Sequence, residues 1–139
     1  MLKTRLLHPG ILQALGESGH GAQVLIADGN YPLRSGSNEA AHRVYLNLAP
    51  GTVSVTDVLS ALVDAIPIEA AHVMAPDDGD EPAIFADFRE LLPDVALQPL
   101  GRFPFYDAAR GLDVALAIAT GEQRLYANLL LTIGVVPPD

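Results

Sequence analysis

The sequence predicts an α/β fold: a single layered domain, residues 1–139, with a mostly parallel central sheet flanked by helices. Three observations carry this. Short continuous apolar runs, Gln23–Ala27, Val114–Ala119 and Leu129–Ile133, have the composition of strands covered on both faces. Other segments repeat their apolar residues at helical spacing. The two kinds alternate along the chain, which is the order from which parallel sheets are built. A length of 139 residues suits one domain with one sizeable core, and no internal repeat or linker divides it.

Taken in order, Pro9 to Gly16 places Ile11, Leu12 and Leu15 on one helical face, with Pro9 suited to the first turn. Gln23–Ala27 follows as a buried strand that ends in the polar turn Asp28-Gly29-Asn30. Tyr31 to Glu39 is rich in Pro, Gly, Ser and Asn and reads as a loop, and Arg43 to Leu48 alternates like a half-buried strand. Ser54-Val55-Thr56-Asp57 resembles a capping box with Asp in place of Glu, and Val58, Leu59, Leu62, Val63 and Ile66 continue it as a helix. His72 to Ala75 reads as a short strand and Pro76 to Pro82 as an acidic turn. Ile84, Phe85, Phe88, Leu91 and Leu92 form the inner face of a third helix. Val95 to Leu100 is a further strand, Phe103 to Arg110 one or two helical turns, and Thr120 to Asn128 the loop joining the last two strands.

Composition narrows the function. Half of the residues are hydrophobic and only 18% are charged, an apolar surplus that a small chain hides most readily in a subunit interface. Charged residues, Pro or Gly interrupt every apolar run well before the roughly 20 residues of a membrane span. No continuous apolar stretch follows Lys3 and Arg5, so the sequence predicts no secretory leader and a cytoplasmic protein. The absence of Cys removes disulfides, thiolate nucleophiles and cysteine-bound zinc together. A net charge of -9, with the eight Lys and Arg scattered, argues against a nucleic-acid partner.

Several motifs fail. Gly16-Glu17-Ser18-Gly19 lacks the spacing and the lysine of a phosphate-binding loop, and no G-x-G-x-x-G follows the first strand. His8, His42 and His72 lack the spacing of a metal site, and Asp77-Asp78-Gly79-Asp80 lacks that of a calcium loop. No metal and no organic cofactor is expected.

What remains are polar segments at strand ends, the usual address of a small-molecule site in α/β domains. Gly19 and Gly21 flank His20 and leave room beside its imidazole, the side chain best suited to proton transfer near neutral pH. The plainer reading is a surface loop histidine. Asp28 could accept sugar hydroxyls or orient an imidazole, or simply make an Asx turn over Gly29. Arg102 beside Phe103-Pro104-Phe105-Tyr106 pairs a donor with aromatic surface, as a neutral polyhydroxylated ring requires, or is a surface charge. Tyr126 and Asn128 alternate around Ala127 and could project to one side, or serve as a core tyrosine and a turn asparagine. Glu122 supports the same loop.

These residues together resemble the L-fucose mutarotase and D-ribose pyranase family, nearly end to end. The resemblance rests on Leu2-Lys3-Thr4, Gly19-His20-Gly21, Ala27-Asp28, Asn30-Tyr31-Pro32, and Met74-Ala75 with Gly79-Asp80. It continues through Arg102-Phe103-Pro104-Phe105-Tyr106, Thr120-Gly121-Glu122 and Tyr126-Ala127-Asn128. It implies His20 as proton donor and sugar binding by Asp28, Tyr126, Ala127 and Asn128; on that basis Arg102 would help to hold the ring hydroxyls and Tyr106 would pack beside the ring. Tyr126 would serve as the second proton relay. Arg102, where the ribose branch has His, resembles the fucose branch. The resemblance further implies a cofactor-free isomerase in a homo-oligomer, a ring of ten in bacterial members, acting on a monosaccharide such as L-fucose. Ring-size exchange of D-ribose and non-catalytic sugar binding are the alternatives.

Overall fold

The computed structural model describes residues 1–139. Four helices and six strands follow one another: α1 (Pro9–Gly16), β1 (Gln23–Ala27), β2 (His42–Tyr45), α2 (Val55–Val63), β3 (Ile68–Met74), α3 (Ile84–Leu91), β4 (Leu97–Leu100), α4 (Arg102–Ala109), β5 (Val114–Ala119) and β6 (Leu129–Ile133). The strands form one sheet in the order β2-β5-β1-β6-β3-β4. Pairings β2·β5, β1·β5 and β3·β4 are parallel, and only β6 runs antiparallel to its neighbours β1 and β3. The α/β layered fold with a mostly parallel sheet is the one the sequence predicts.

The three continuous apolar runs form the centre of this sheet, β5-β1-β6. Alternate residues of β1 enter different cores. Val24 and Ile26 join the larger apolar cluster with α1, α2 and α3, whereas Leu25 and Ala27 join a smaller one with Phe105 and Ala109 of α4 and with Tyr31 and Leu33 of the loop after β1. A strand buried on both faces has no polar side to display, which is why these runs do not alternate in hydropathy.

The helix starts are set by local chemistry. Pro9 occupies the first turn of α1, and His8 Nδ1 accepts from the Ile11 amide at 3.2 Å. At α2, Ser54 Oγ accepts from the Asp57 amide while the Asp57 carboxylate accepts from the Ser54 amide, both at 3.1 Å. The capping box therefore forms with the shorter acid.

The element boundaries depart from the sequence reading outside the central three strands. β3 begins at Ile68, four residues before His72, because its early residues pair with β6 even though Glu69 stays exposed. β4 begins at Leu97 rather than Val95. It pairs with β3 alone, so Pro99, which has no N–H to offer, is tolerated on an edge. β2 ends at Tyr45 instead of Leu48, whose side chain is exposed. No helix is long and apolar enough to cross a membrane.

Candidate active site

One end of the sheet gathers most of the singled-out residues. The parallel strands β1, β3 and β4 present their C-terminal ends there, and the antiparallel β6 presents its start. Asp28, Met74, Arg102 and Asn128 consequently converge from four different elements. They border an open cavity of about 210 Å³ together with Asn30, Tyr31, Tyr106, Leu125 and Tyr126. That volume is below the roughly 300–1,000 Å³ of a complete small-molecule pocket, and the cavity is open on one side.

The floor is a reciprocal clamp between β1 and β6. The Asp28 amide donates to Asn128 Oδ1 at 2.8 Å, and Asn128 Nδ2 donates back to Asp28 Oδ2 at 3.2 Å. Asn128 Nδ2 also reaches Met74 Sδ at 3.9 Å. Both side chains are buried. Asp28 Oδ1 further accepts from the Asn30 amide at 3.0 Å, so the Asx turn exists as well, and it holds the carboxylate in place. Burial pushes the Asp28 carboxyl above its ordinary value. Donors from the Asn30, Ala127 and Tyr31 backbone and from Asn128 pull it back without cancelling that effect.

The wall is aromatic. Tyr31 meets Phe105 and Tyr106 edge-on, with ring centroids 6.1 and 5.3 Å apart. Its hydroxyl donates to the Gly36 carbonyl at 2.6 Å, and burial pushes its phenol up, so Tyr31 is a neutral packing surface. Arg102 lies over Phe103 and Tyr106, its guanidinium carbon 5.8 and 5.9 Å from the ring centroids, and its Nε approaches the Tyr106 hydroxyl at 3.4 Å. Apolar ring faces, an arginine fork, a carboxylate and a carboxamide around one small space form a set of donors and acceptors for a polyhydroxylated ring.

Tyr126 and Asn128 both border the cavity, although neither lies in β6, which begins at Leu129. Tyr126 reaches it from the loop with φ of 59°, a conformation uncommon for a residue other than glycine. Ala127 is fully buried in the main core, so what it offers a ligand is backbone.

His20 is elsewhere. It precedes β1 whereas Asp28 follows it, and the five residues of β1 at about 3.3 Å each separate the two strand ends by roughly 16 Å. The Gly21 amide donates to the Ile133 carbonyl, at the far end of β6. The His20 imidazole is exposed and its Nε2 contacts both oxygens of Glu69 at 3.0 and 3.1 Å. Within one chain, therefore, the structure joins Asp28, Arg102, Tyr106, Tyr126 and Asn128 and leaves His20 at the opposite end of the sheet.

Sequence reasoning passed over Met74 and Tyr31 as site residues, although both border the cavity. Met74 is the last residue of β3, and recognising that strand's full length would have placed it. Tyr31 sits in a segment read as loop and, in Asn30-Tyr31-Pro32, as part of the family resemblance, with no role at the site. A larger polar cleft of about 420 Å³ opens on the other side of Asn30, lined by Gly29, Asn47, Pro50, Gly121 and Gln123 among others. It holds no aromatic wall, and Asp28, Asn128, Arg102 and Tyr106 line the smaller cavity instead.

A fold that carries a carboxylate, a carboxamide and stacked aromatics at one end of a mostly parallel sheet belongs to the class of α/β proteins that present small-molecule sites at strand ends. Residues 1–136 match the RbsD / FucU transport protein family, and the chain belongs to that family. It is 31% identical to the fucose mutarotase of Danio rerio over 96% of this chain and 92% of that protein. It is also 31% identical to D-ribose pyranase 2 of Streptomyces griseus subsp. griseus, covering 97% of this chain and 98% of the relative. The crystal structure of the fucose mutarotase from Streptococcus pneumoniae in complex with L-fucose superposes with a TM-score of 0.84 at 28% identity, covering 98% of this chain and 100% of that one.

Proposed function

We propose that this chain is an isomerase, an aldose mutarotase that interconverts the anomers of L-fucose or a closely related monosaccharide. The observation that carries the reading is the Asp28–Asn128 clamp roofed by Arg102, Tyr106 and Tyr126 in a chain whose relatives are a fucose mutarotase and a D-ribose pyranase. Both named activities act on a sugar hemiacetal. Arg102, which lines the cavity and resembles the fucose branch where the ribose branch has His, supports a fucose-type substrate.

The chemistry needs two proton-handling groups. One removes the proton from the anomeric hydroxyl as the C1–O1 bond becomes a carbonyl. The bond from C1 to the ring oxygen breaks, and the second group gives that oxygen a proton. Rotation about C1–C2 and the reverse sequence close the other anomer. Each positioned group contributes about 100- to 10,000-fold, and the sequence consumes neither oxidant nor reductant. In our reading His20 and Tyr126 are these groups. Asp28, Arg102, Asn128 and the Ala127 backbone hold the ring hydroxyls, and Tyr106 packs against the ring.

Because His20 stands about a strand length from the cavity of its own chain, its catalytic role requires a second copy, whose His20 enters the open side. The protein is accordingly proposed to be a cytoplasmic homo-oligomer, with the ring of ten implied by the family resemblance as its working stoichiometry. The exposure of Leu125 at the cavity, of Phe103 beside Arg102 and Tyr106, and of Leu48, Leu112 and Val136 elsewhere supports an interface.

Saturation-transfer NMR of anomer exchange with L-fucose and D-ribose tests the proposal. Acceleration that disappears in His20→Ala is the expected result. Unchanged exchange in that variant overturns the role of His20, and sugar binding without acceleration makes the chain a binding protein.

A further inference from the structure

Tyr126 sits near the end of a nine-residue loop, Thr120 to Asn128, that has no helix or strand of its own. Loop backbone left to itself samples many conformations, so a phenol used in proton transfer there needs fastening from outside. The structure supplies it four and two residues away, at Glu122 and Arg124. The Glu122 side chain is only 5% exposed, and its carboxylate accepts from the Val55 amide at the start of α2 at 3.1 Å and from the Arg124 amide at 3.1 Å. It also takes Arg124 Nε and Nη2 on its two oxygens, both at 2.9 Å. Arg124 then extends outward, Nη1 to Asp87 of α3 at 2.7 Å and Nη2 to Thr56 of α2 at 3.1 Å.

The clamped segment leads straight into the site. Leu125 and Tyr126 border both the sugar cavity and a second cavity of about 310 Å³ whose wall includes Arg124, so they form a partition between the two that follows directly on the clamped Arg124. The pair is buried on the Glu122 side only, the Arg124 side chain being 43% exposed, and a forked arginine on a carboxylate fixes direction and distance. Tyr126 also keeps a left-handed backbone conformation that its surroundings must enforce.

We propose that Glu122 and Arg124 are positioning residues for Tyr126: they touch no substrate, and they hold the phenol at the distance its proton transfer requires. This rests on the mutarotase reading above, in which Tyr126 is a proton relay.

The test is a double-mutant cycle on the full-length protein, following L-fucose anomer exchange by saturation-transfer NMR over a range of sugar concentrations. Glu122→Gln, which leaves a neutral amide where the arginine expects a carboxylate, should lower kcat by on the order of 100-fold, the penalty of a misplacement near 1 Å, with KM little changed. In a Tyr126→Phe background the same change should lower kcat by less than about threefold, because the group being positioned is already gone. Arg124→Lys should retain more activity than Arg124→Ala.

Equal losses from Glu122→Gln in the two backgrounds, or a loss confined to KM, would overturn the positioning role and leave the mutarotase reading standing. A Tyr126→Phe variant with wild-type kcat would overturn both Tyr126 as relay and the positioning built on it. Should Glu122→Gln fail to fold, Asp87→Ala removes only the exposed outer end of the clamp. A several-fold drop in kcat that vanishes in the Tyr126→Phe background is then expected, and equal drops in both backgrounds would overturn the proposal.

Discussion

Glu122 makes a prediction about stability that can be worked from its surroundings. The Arg124 guanidinium, bonded to the carboxylate, holds it well below the ordinary value of 4.5, at about 2; burial opposes this, and the amides of Arg124 and Val55 assist it. A carboxyl depressed in the folded chain contributes stability that is fully present above its unfolded value and is lost as pH falls through the folded one. The window is therefore about 4.5 down to about 2. A separation of about 2.5 units at about 1.36 kcal/mol each gives on the order of 3 kcal/mol at pH 7. At pH 3 only the last unit remains, on the order of 1 kcal/mol.

Urea unfolding of wild type and Glu122→Gln at both pH values isolates this group, since every other carboxyl titrates in both proteins. The stability gap between them should narrow by roughly 2 kcal/mol from pH 7 to pH 3. A gap of constant size would refute the reasoning. It would mean that the loss in the variant reflects packing or amide geometry rather than the charge held by Arg124.

Two further outcomes follow from the same geometry. Asn128→Ala strands the buried Asp28 amide and removes a donor from its carboxylate, so it should cost about 2–4 kcal/mol in chemical denaturation and weaken sugar binding in a titration; a loss under about 0.5 kcal/mol would mean that water replaces the clamp. If each site combines the cavity of one copy with the His20 of another, mixing His20→Ala and Asn128→Ala chains through dissociation and reassembly should restore about one quarter of wild-type exchange by random pairing. Mixtures as inactive as their components would confine each site to one chain.

The central half of the fold was legible because its strands are buried on both faces over most of their length and carry continuous apolar runs there, as in Leu25-Ile26-Ala27 and Leu129-Leu130-Leu131. The strands beyond that centre were less legible. β3 opens with Ile68-Glu69-Ala70, where an exposed carboxylate breaks the apolar run, and only pairing with β6 makes it strand. At the site, the Asp28-Gly29-Asn30 turn and the Tyr126-Ala127-Asn128 element were visible as motifs, because turn chemistry is local. Their contact spans 100 residues and arises from the antiparallel placement of β6 beside β1. Nothing periodic encodes that. The separation of His20 from Asp28 was implicit in the strand between them, since an extended run necessarily carries its two flanks to opposite ends of a sheet.

The two carboxylates near the end of β1 show how one fold assigns opposite tasks to the same functional group. Glu122 is buried beside an arginine and is held ionised far below neutral pH, so it is fixed in charge and place. Asp28 is buried among amides and a thioether with no cation bonded to it, and burial pushes its carboxyl up. Its sign is the reverse: the folded chain favours the protonated form, so as pH rises through the window above the ordinary value of 3.8 this group works against folding. A domain selected for stability alone would place an asparagine or an apolar residue there. Retaining a carboxylate that burial disfavours, at the floor of a cavity and beside donors that hold it in one orientation, is what a site for sugar hydroxyls requires. Environments that drive two neighbouring acids apart also separate their places: Asp28 borders the cavity, and Glu122 is bonded to Val55 and Arg124 within the loop that carries Tyr126.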